Sequence, residues 1–365
     1  MSKFTCLSLT PINLEHPGVA VATVRAGGVG ILDREFCPDK DLEIATKNLD
    51  QLLKLVGNQS TVGLRLTAGQ ISSSLGLLNA LAKQPHYLIL CQWETNNLFA
   101  SLEVLPKATK QSLLLEIADL EQLSVLEANT IFQEKIDGLV ARGQESGGWV
   151  GEEPAFILTQ KLLQNTSLPV YVQGGIGIHT ARACSAVGAA GVVLDDQLWL
   201  MPESPLSEEL KSSLVNLTGH EAITIGERLG KTLRVLSRPN FPGMKKLQKL
   251  AETKEIESDF SNNWQWEINQ FIGWNSSDNQ ALPIGQAIGL AEKFRDNYRT
   301  TGRLIQAVIR SGEETSQQNL FVPHSPLAKS HGTEYPIVQG PMTRVSDRAE
   351  FADAVSQGGA LPMLA

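Results

Sequence analysis

Ala141-Arg142-Gly143-Gln144-Glu145-Ser146-Gly147-Gly148-Trp149-Val150-Gly151, followed after a helix-forming interval by Val172-Gln173-Gly174-Gly175-Ile176-Gly177, decides the fold. Each stretch opens from a short apolar run, Ile136 to Val140 and Leu168 to Val172, and breaks into glycine. A strand that ends this way leaves backbone N–H groups free at the carboxyl end of a sheet, where an anion such as a phosphate can be held. The interval from Pro154 to Gln164 carries apolar residues three or four apart, so the pair reads as two consecutive strand–helix units.

Outward from these loops the same alternation recurs. Thr5 to Leu9, Gly30 to Leu32, Thr61 to Leu66, Tyr87 to Cys91, Ser112 to Ile117, Ile136 to Val140, Pro169 to Val172 and Gly191 to Leu194 are the expected strands. Helices are expected over Asp41 to Val56, Ser72 to Lys83, Leu120 to Gln133, Pro154 to Gln164 and Thr180 to Val187, the last with Thr180 as N-cap. Eight strands separated by helices predict an α/β fold, a (β/α)8 TIM barrel, which needs about 250 residues of the chain's length.

Composition narrows the function. The net charge is −8 and no Lys/Arg cluster is interleaved with aromatics, so a nucleic-acid surface is not expected. Cys6, Cys37, Cys91 and Cys184 lack metal-ligand or disulfide spacing, and no metal site is expected. No run of about 18 apolar residues occurs, so the expectation is a cytoplasmic chain with no membrane span. The partner is then a small-molecule or carrier-tethered substrate.

The two glycine loops, in this order, resemble the nitronate monooxygenase (2-nitropropane dioxygenase-like) family and its relative, the flavin-dependent enoyl-acyl-carrier-protein reductase. Gly188-Ala189-Ala190-Gly191-Val192-Val193-Leu194 and Pro283-Ile284-Gly285-Gln286-Ala287-Ile288-Gly289-Leu290 are similar to the family's last barrel strand and its flavin-facing Gly-Gln segment. The resemblance implies an FMN-binding barrel over residues 1–200, with a mainly helical cap and the Gly-Gln segment over 201–312. It also implies a repeat. Tyr335-Pro336-Ile337-Val338-Gln339-Gly340-Pro341-Met342-Thr343 through Gly358-Gly359-Ala360-Leu361 matches the family's opening, as does Thr10-Pro11-Ile12 through Gly27-Gly28-Val29-Gly30-Ile31-Leu32 with a one-residue offset. Residues 313–365 are therefore expected to be a linker and the truncated start of a second barrel. Ser325-Pro326-Leu327-Ala328 and Leu194-Asp195-Asp196-Gln197-Leu198 most resemble such domains in large bacterial polyketide and polyunsaturated-fatty-acid synthases, which implies acyl-carrier-tethered substrates and synthase modules, or a second barrel copy, as partners.

The resemblance assigns the site residue by residue. Gly143, Gly147 and Gly148 approach the flavin, Gly174, Gly175 and Ile176 donate N–H groups to its phosphate, and Thr10 lines the ring. Gln173 and Gln286 reach flavin heteroatoms. Arg65 stands where relatives carry asparagine, either to stabilise a reduced flavin or to pair with a barrel carboxylate. Trp149 takes the place of the catalytic histidine. Indole cannot accept a proton near neutral pH, which leaves Glu145 and His179 as candidate bases and favours acyl-thioester reduction, with water or Tyr171 supplying the last proton. Asp195 and Asp196 replace a small polar pair beside the phosphate and repel it unless they point away or meet Arg182 or another cation. Three functions stay open: an FMN-dependent oxidoreductase of the nitronate monooxygenase/enoyl reductase class, a catalytically degenerate barrel serving as a structural or docking module, and, on fold analogy alone, a barrel binding some other phosphorylated metabolite.

Overall fold

The computed structural model describes residues 4–37, 42–57, 60–106, 110–127, 129–226, 232–237, 269, 271–274, 280–314 and 321–365. Strands β1 (Thr5–Leu9), β2 (Val29–Asp33), β3 (Val62–Thr67), β4 (His86–Cys91), β5 (Gln111–Ile117), β6 (Gly138–Arg142), β8 (Val170–Gln173) and β9 (Gly191–Leu194) close a parallel barrel in the order 1-2-3-4-5-6-8-9. Leu7 pairs with Val29 on one edge of β1, and Thr5 with Gly191 on the other, which seals the ring. The (β/α)8 barrel expected from the sequence is present. Leu7, Leu9, Ile31, Ile89, Leu114 and Val193 form one buried cluster from five of the strands, the packing that makes such a barrel solid.

Helices α1 (Gly18–Arg25), α2 (Leu42–Val56), α3 (Leu75–Leu81), α4 (Thr95–Glu103), α7 (Ala155–Asn165) and α8 (Ile178–Ala186) follow successive strands. The expected helix from Leu120 to Gln133 is two, α5 (Leu120–Glu127) and α6 (Thr130–Lys135), because Asn129 takes an extended conformation and its side chain caps Ile131 N–H at 2.8 Å. At α8 the cap is Gly177, with Thr180 Oγ1 accepting the Gly177 N–H, so the helix starts two residues earlier than Thr180 suggests.

Beyond β9, the described part of the expected helical cap is mixed. After α9 (Glu208–Leu214), β10 (Ala222–Ile225) and β11 (Thr232–Leu236) form an antiparallel hairpin that adds β7 (Gly148–Val150) as a third strand. The loop carrying Trp149 is thus itself sheet. Helix α10 (Ile288–Tyr298) leads to α11 (Thr301–Glu314), whose Leu304, Ile305, Val308 and Ile309 share a buried cluster with Phe4 and Cys6 at the start of β1. The ring's last helix therefore comes from beyond residue 200. Trp264 and Trp266 lie outside the described residues; Trp274 stacks edge-on against Trp199 at 5.7 Å.

The chain divides into a unit spanning Met1–Glu313 and a second spanning Glu314–Ala365. In the second, α12 (Pro326–Ser330) precedes a parallel bridge between Val338 and Leu361, with α13 (Ala349–Gln357) between them. Gly359 has φ +83°, close to the +90° of Gly27 in the turn between α1 and β2. Unlike α1, α13 has no buried residue, and Val338 is 52% exposed where Leu7 is 0%.

Candidate active site

Strand carboxyl ends place Asp33, Arg65, Glu116, Arg142 and Gln173 around one mouth. There the side chains form a closed ion cluster. Arg65 donates from Nε and Nη2 to Glu116 at 2.6 and 2.9 Å, and from Nη1 to Asp33 Oδ2 at 2.9 Å and Glu35 Oε2 at 2.8 Å. Arg142 Nη1 donates to Glu35 Oε1 at 2.7 Å and Glu116 Oε2 at 2.9 Å, and its Nη2 to the Gly147 carbonyl. Arg65, Arg142 and Glu35 are nearly solvent-free. Desolvating such charges is expensive, and here each guanidinium bridges two or three carboxylates with good geometry.

The electrostatics are uneven within the cluster. Burial tends to raise the Glu35 carboxyl, but Arg142 and Arg65 outweigh it and pull it down to about 2. Asp33 shares Arg65 and faces Glu35 and Glu116, and its burial pushes it up to about 6. Burial and the neighbouring Asp195 hold Asp196 well above the usual carboxylate range, and burial raises Asp195 as well. Cys91 Sγ lies close to Glu35 and Glu116, but those carboxylates are taken by guanidinium N–H groups and the thiol faces the Leu66 carbonyl.

The expected site residues fall around this cluster. Thr10 follows β1 and accepts the Asp33 N–H at 3.1 Å. Arg65 takes the second of its two expected roles, pairing with barrel carboxylates. Gly143 abuts the N-terminus of α7, and Gly147 lies against the Pro283–Gly285 backbone. Gly148 lies against Phe36 and the Arg142 guanidinium. Trp149 pairs with Leu233, packs with Ile12, Phe36 and Ile272, and donates Nε1–H to Asn269 Oδ1 at 3.0 Å. Glu145 accepts the first N–H of α7, from Ala155, at 2.9 Å, and its carboxylate stands 3.2 Å from the side-chain direction of Gly174. Gly174 and Gly175 have φ +116° and +63°, a turn that gathers successive N–H groups on one side. Gln173 binds Asp195, and Asp196 accepts the Gly285 N–H at 2.5 Å. Ile176 is buried behind the same loop, where its carbonyl accepts Gln197 Nε2.

Four residues lie apart. The Gln286 side chain is exposed, and its backbone N–H binds the Glu145 carbonyl. His179 and Arg182 are exposed on α8. Tyr171 bonds Tyr87 hydroxyl to hydroxyl at 3.4 Å, two residues before the mouth-facing Gln173, and burial drives its phenol far above its usual range. It is therefore placed as barrel filling, and the proton-donor role suggested by sequence has no support from its position.

A flavin tests the mouth directly. Pockets that bury a ligand of that size measure about 300 Å³ or more, whereas the cavity lined by Thr10, Arg65, Arg142, Gly147, Gln173 and Asp196 measures about 30 Å³. Gly147 and Gly285 pack backbone against backbone. The Gly174–Gly175 turn faces Glu145, and Asp196 holds the Gly285 N–H. As these residues stand, the cavity at the mouth alone is too small for FMN. A larger cavity of about 470 Å³ adjoins the mouth between the β1–α1 loop and α9, sharing Ile12, Phe36 and Trp274 with it.

No protein-family model matches the chain, and no curated protein matches it. Solved structures do. FabK from Thermotoga maritima aligns with TM-score 0.65 at 20% identity, covering 87% of this chain and 94% of that one. Nitroalkane oxidase from Streptomyces ansochromogenes aligns with TM-score 0.59 at 15% identity, covering 85% and 96%. The enoyl reductase domain of MlnA, from the macrolactin biosynthesis cluster of Bacillus amyloliquefaciens, aligns with TM-score 0.57 at 11% identity, covering 84% and 94%. With its closed eight-stranded ring, its β10–β11 hairpin and its returning α11, this chain has the fold shared by the nitroalkane oxidase and enoyl reductase barrels.

Proposed function

We propose that the chain is a cytoplasmic barrel of the nitronate monooxygenase/enoyl reductase class, working in or beside a polyketide or fatty-acid synthase, and that this copy is a structural or docking module. One observation supports the second half: the cavity that the Arg65/Arg142 cluster leaves at the mouth is about 30 Å³. The class is supported by the fold and by its likeness to an enoyl reductase domain from a biosynthetic cluster. The open face of residues 335–365 supports reading them as the start of a second barrel, to which this one is joined.

The oxidoreductase reading keeps specific support of its own. Gly174 and Gly175 have paired positive φ angles in a turn ahead of α8 that can hold an anion, and the fold is that of a nitroalkane oxidase and an enoyl reductase domain. On that reading Gly174, Gly175 and Ile176 would hold the FMN phosphate, Gly147 and Gly148 would face the ring, and the flavin would supply hydride transfer to a small-molecule or carrier-tethered acyl substrate.

The full chain, mixed with excess FMN and desalted, decides between them. We expect no retained visible flavin absorption. Stoichiometric flavin after desalting would overturn the module reading and make enoyl-thioester reduction the next assay.

A further inference from the structure

The cavity of about 470 Å³ between the β1–α1 loop and α9 lies within the size range of small-molecule sites, and its walls differ in kind from those of the mouth it adjoins. The mouth is lined by Asp33, Glu35, Arg65, Arg142, Asp195 and Asp196. Among the described residues lining the larger cavity there is no Asp, Glu, Lys, Arg or His. Its apolar walls are Ile12, Leu14, Phe36, Leu206, Ile272 and Trp274. Ile12, Phe36, Leu206 and Ile272 are at most 6% exposed, so these walls are recessed from bulk solvent. An ion entering such a space gives up hydration with no counter-charge to replace it, whereas an apolar molecule gains by leaving water.

Two polar groups of the wall restrict the ligand further, and both are donors. Asn269 Oδ1 accepts the Trp149 indole N–H at 3.0 Å, which leaves the amide N–H groups of Asn269 uncommitted among the described residues. Trp149 also packs with Ile12, Phe36 and Ile272, and so belongs to the support of this cavity. The Nε1–H of Trp274 is buried and has no acceptor. Donors set in an apolar wall call for an acceptor oxygen on whatever fills it.

We propose that this cavity is a binding site for one uncharged, mainly apolar molecule that carries a carbonyl oxygen. Its apolar part lies against Leu14, Phe36 and Leu206, and its oxygen serves the donors of Asn269 and Trp274.

The full chain, without flavin, is titrated at pH 8 with 2-octanone and with octanoate by isothermal titration calorimetry. The two probes share a chain length and differ in the charge of the head group. We expect 2-octanone to saturate at one molecule per chain and octanoate to bind at least tenfold more weakly. Leu14→Lys puts an ammonium into the half-buried part of the wall and should bind octanoate at least tenfold more tightly than the parent does, a gain that misfolding cannot imitate. Absent or unsaturable ketone binding, octanoate binding as tightly as the ketone in the parent, or unchanged octanoate affinity in a Leu14→Lys chain shown folded by circular dichroism overturns the site. Because no flavin enters the test, its result is independent of whether the barrel is a module or an oxidoreductase.

Discussion

The two halves of the barrel mouth solve the same electrostatic problem in opposite ways. Across β2, β3, β5 and β6, every buried carboxylate meets a guanidinium; across β8 and β9, Asp195 and Asp196 meet none. Burial alone is equal in the two halves, so what differs is the partner. The consequence shows in direction: Glu35 is held far below its usual value by its arginines, while Asp196 is pushed far above by burial and by Asp195. A carboxylate at a strand's end is thus either a fixture of the fold or a liability, according to what faces it.

Breaking the paired half should have the largest effect. Glu35→Gln leaves two buried guanidiniums short of a counter-charge and should cost about 3–5 kcal/mol in chemical denaturation at pH 7. Because the folded-state value of Glu35 is depressed, its contribution is fully present above about 4.5 and fades as pH falls toward about 2. The parent–variant gap should therefore narrow by pH 3. A gap that stays constant with pH would remove the ion cluster from the explanation.

On the seam between the halves, Gly285→Ala drives a methyl into the Glu145 carbonyl and the Gly147 backbone, which cannot yield. Its expected cost is about 1–3 kcal/mol, read as a lower denaturation midpoint at unchanged slope.

The unpaired half should respond with the opposite sign. A raised carboxyl contributes stability that is present below the unfolded value and lost as pH rises through the folded one. At pH 8, Asp196→Asn should therefore be more stable than the parent by roughly 1 kcal/mol, measured by thermal melting. If the variant is less stable, the two halves are not the contrast drawn here.

Smallest of all is the effect of Trp149→His on activity. Introducing the histidine of the nitronate monooxygenase family that the loop resembles leaves the ion cluster in place, so nitronate oxidation, assayed as oxygen uptake, should stay at background. Measurable turnover would mean that the cluster yields to a cofactor.

Much of the barrel could be read from the chain because its strands are short apolar runs separated by helix-length intervals, and period and length are local properties. The strand β7 and the β10–β11 hairpin were not legible: Gly148–Val150 is three residues long and becomes a strand only when Leu233 arrives from more than eighty residues away. The ion cluster was half visible. Arg65 stood out, but Glu116 within Leu115-Glu116-Ile117 and Arg142 after Val140-Ala141 carried a similar sign, a charge interrupting an apolar strand at its carboxyl end. Glu35 lies in a turn and gave no sign, since only closure of the ring brings it to Arg142, 107 residues on. Trp149, Asp195 and Asp196 were conspicuous as departures from a family pattern, yet their surroundings depend on packing that no spacing encodes.

A ligand stabilises its protein only as far as its free concentration exceeds its dissociation constant. The charges of Arg65, Arg142, Glu35 and Glu116 are covalently part of the chain and present in every molecule from the moment the ring closes. If this copy is a module, a barrel stapled in this way folds equally well in a cell starved of riboflavin and in one saturated with it.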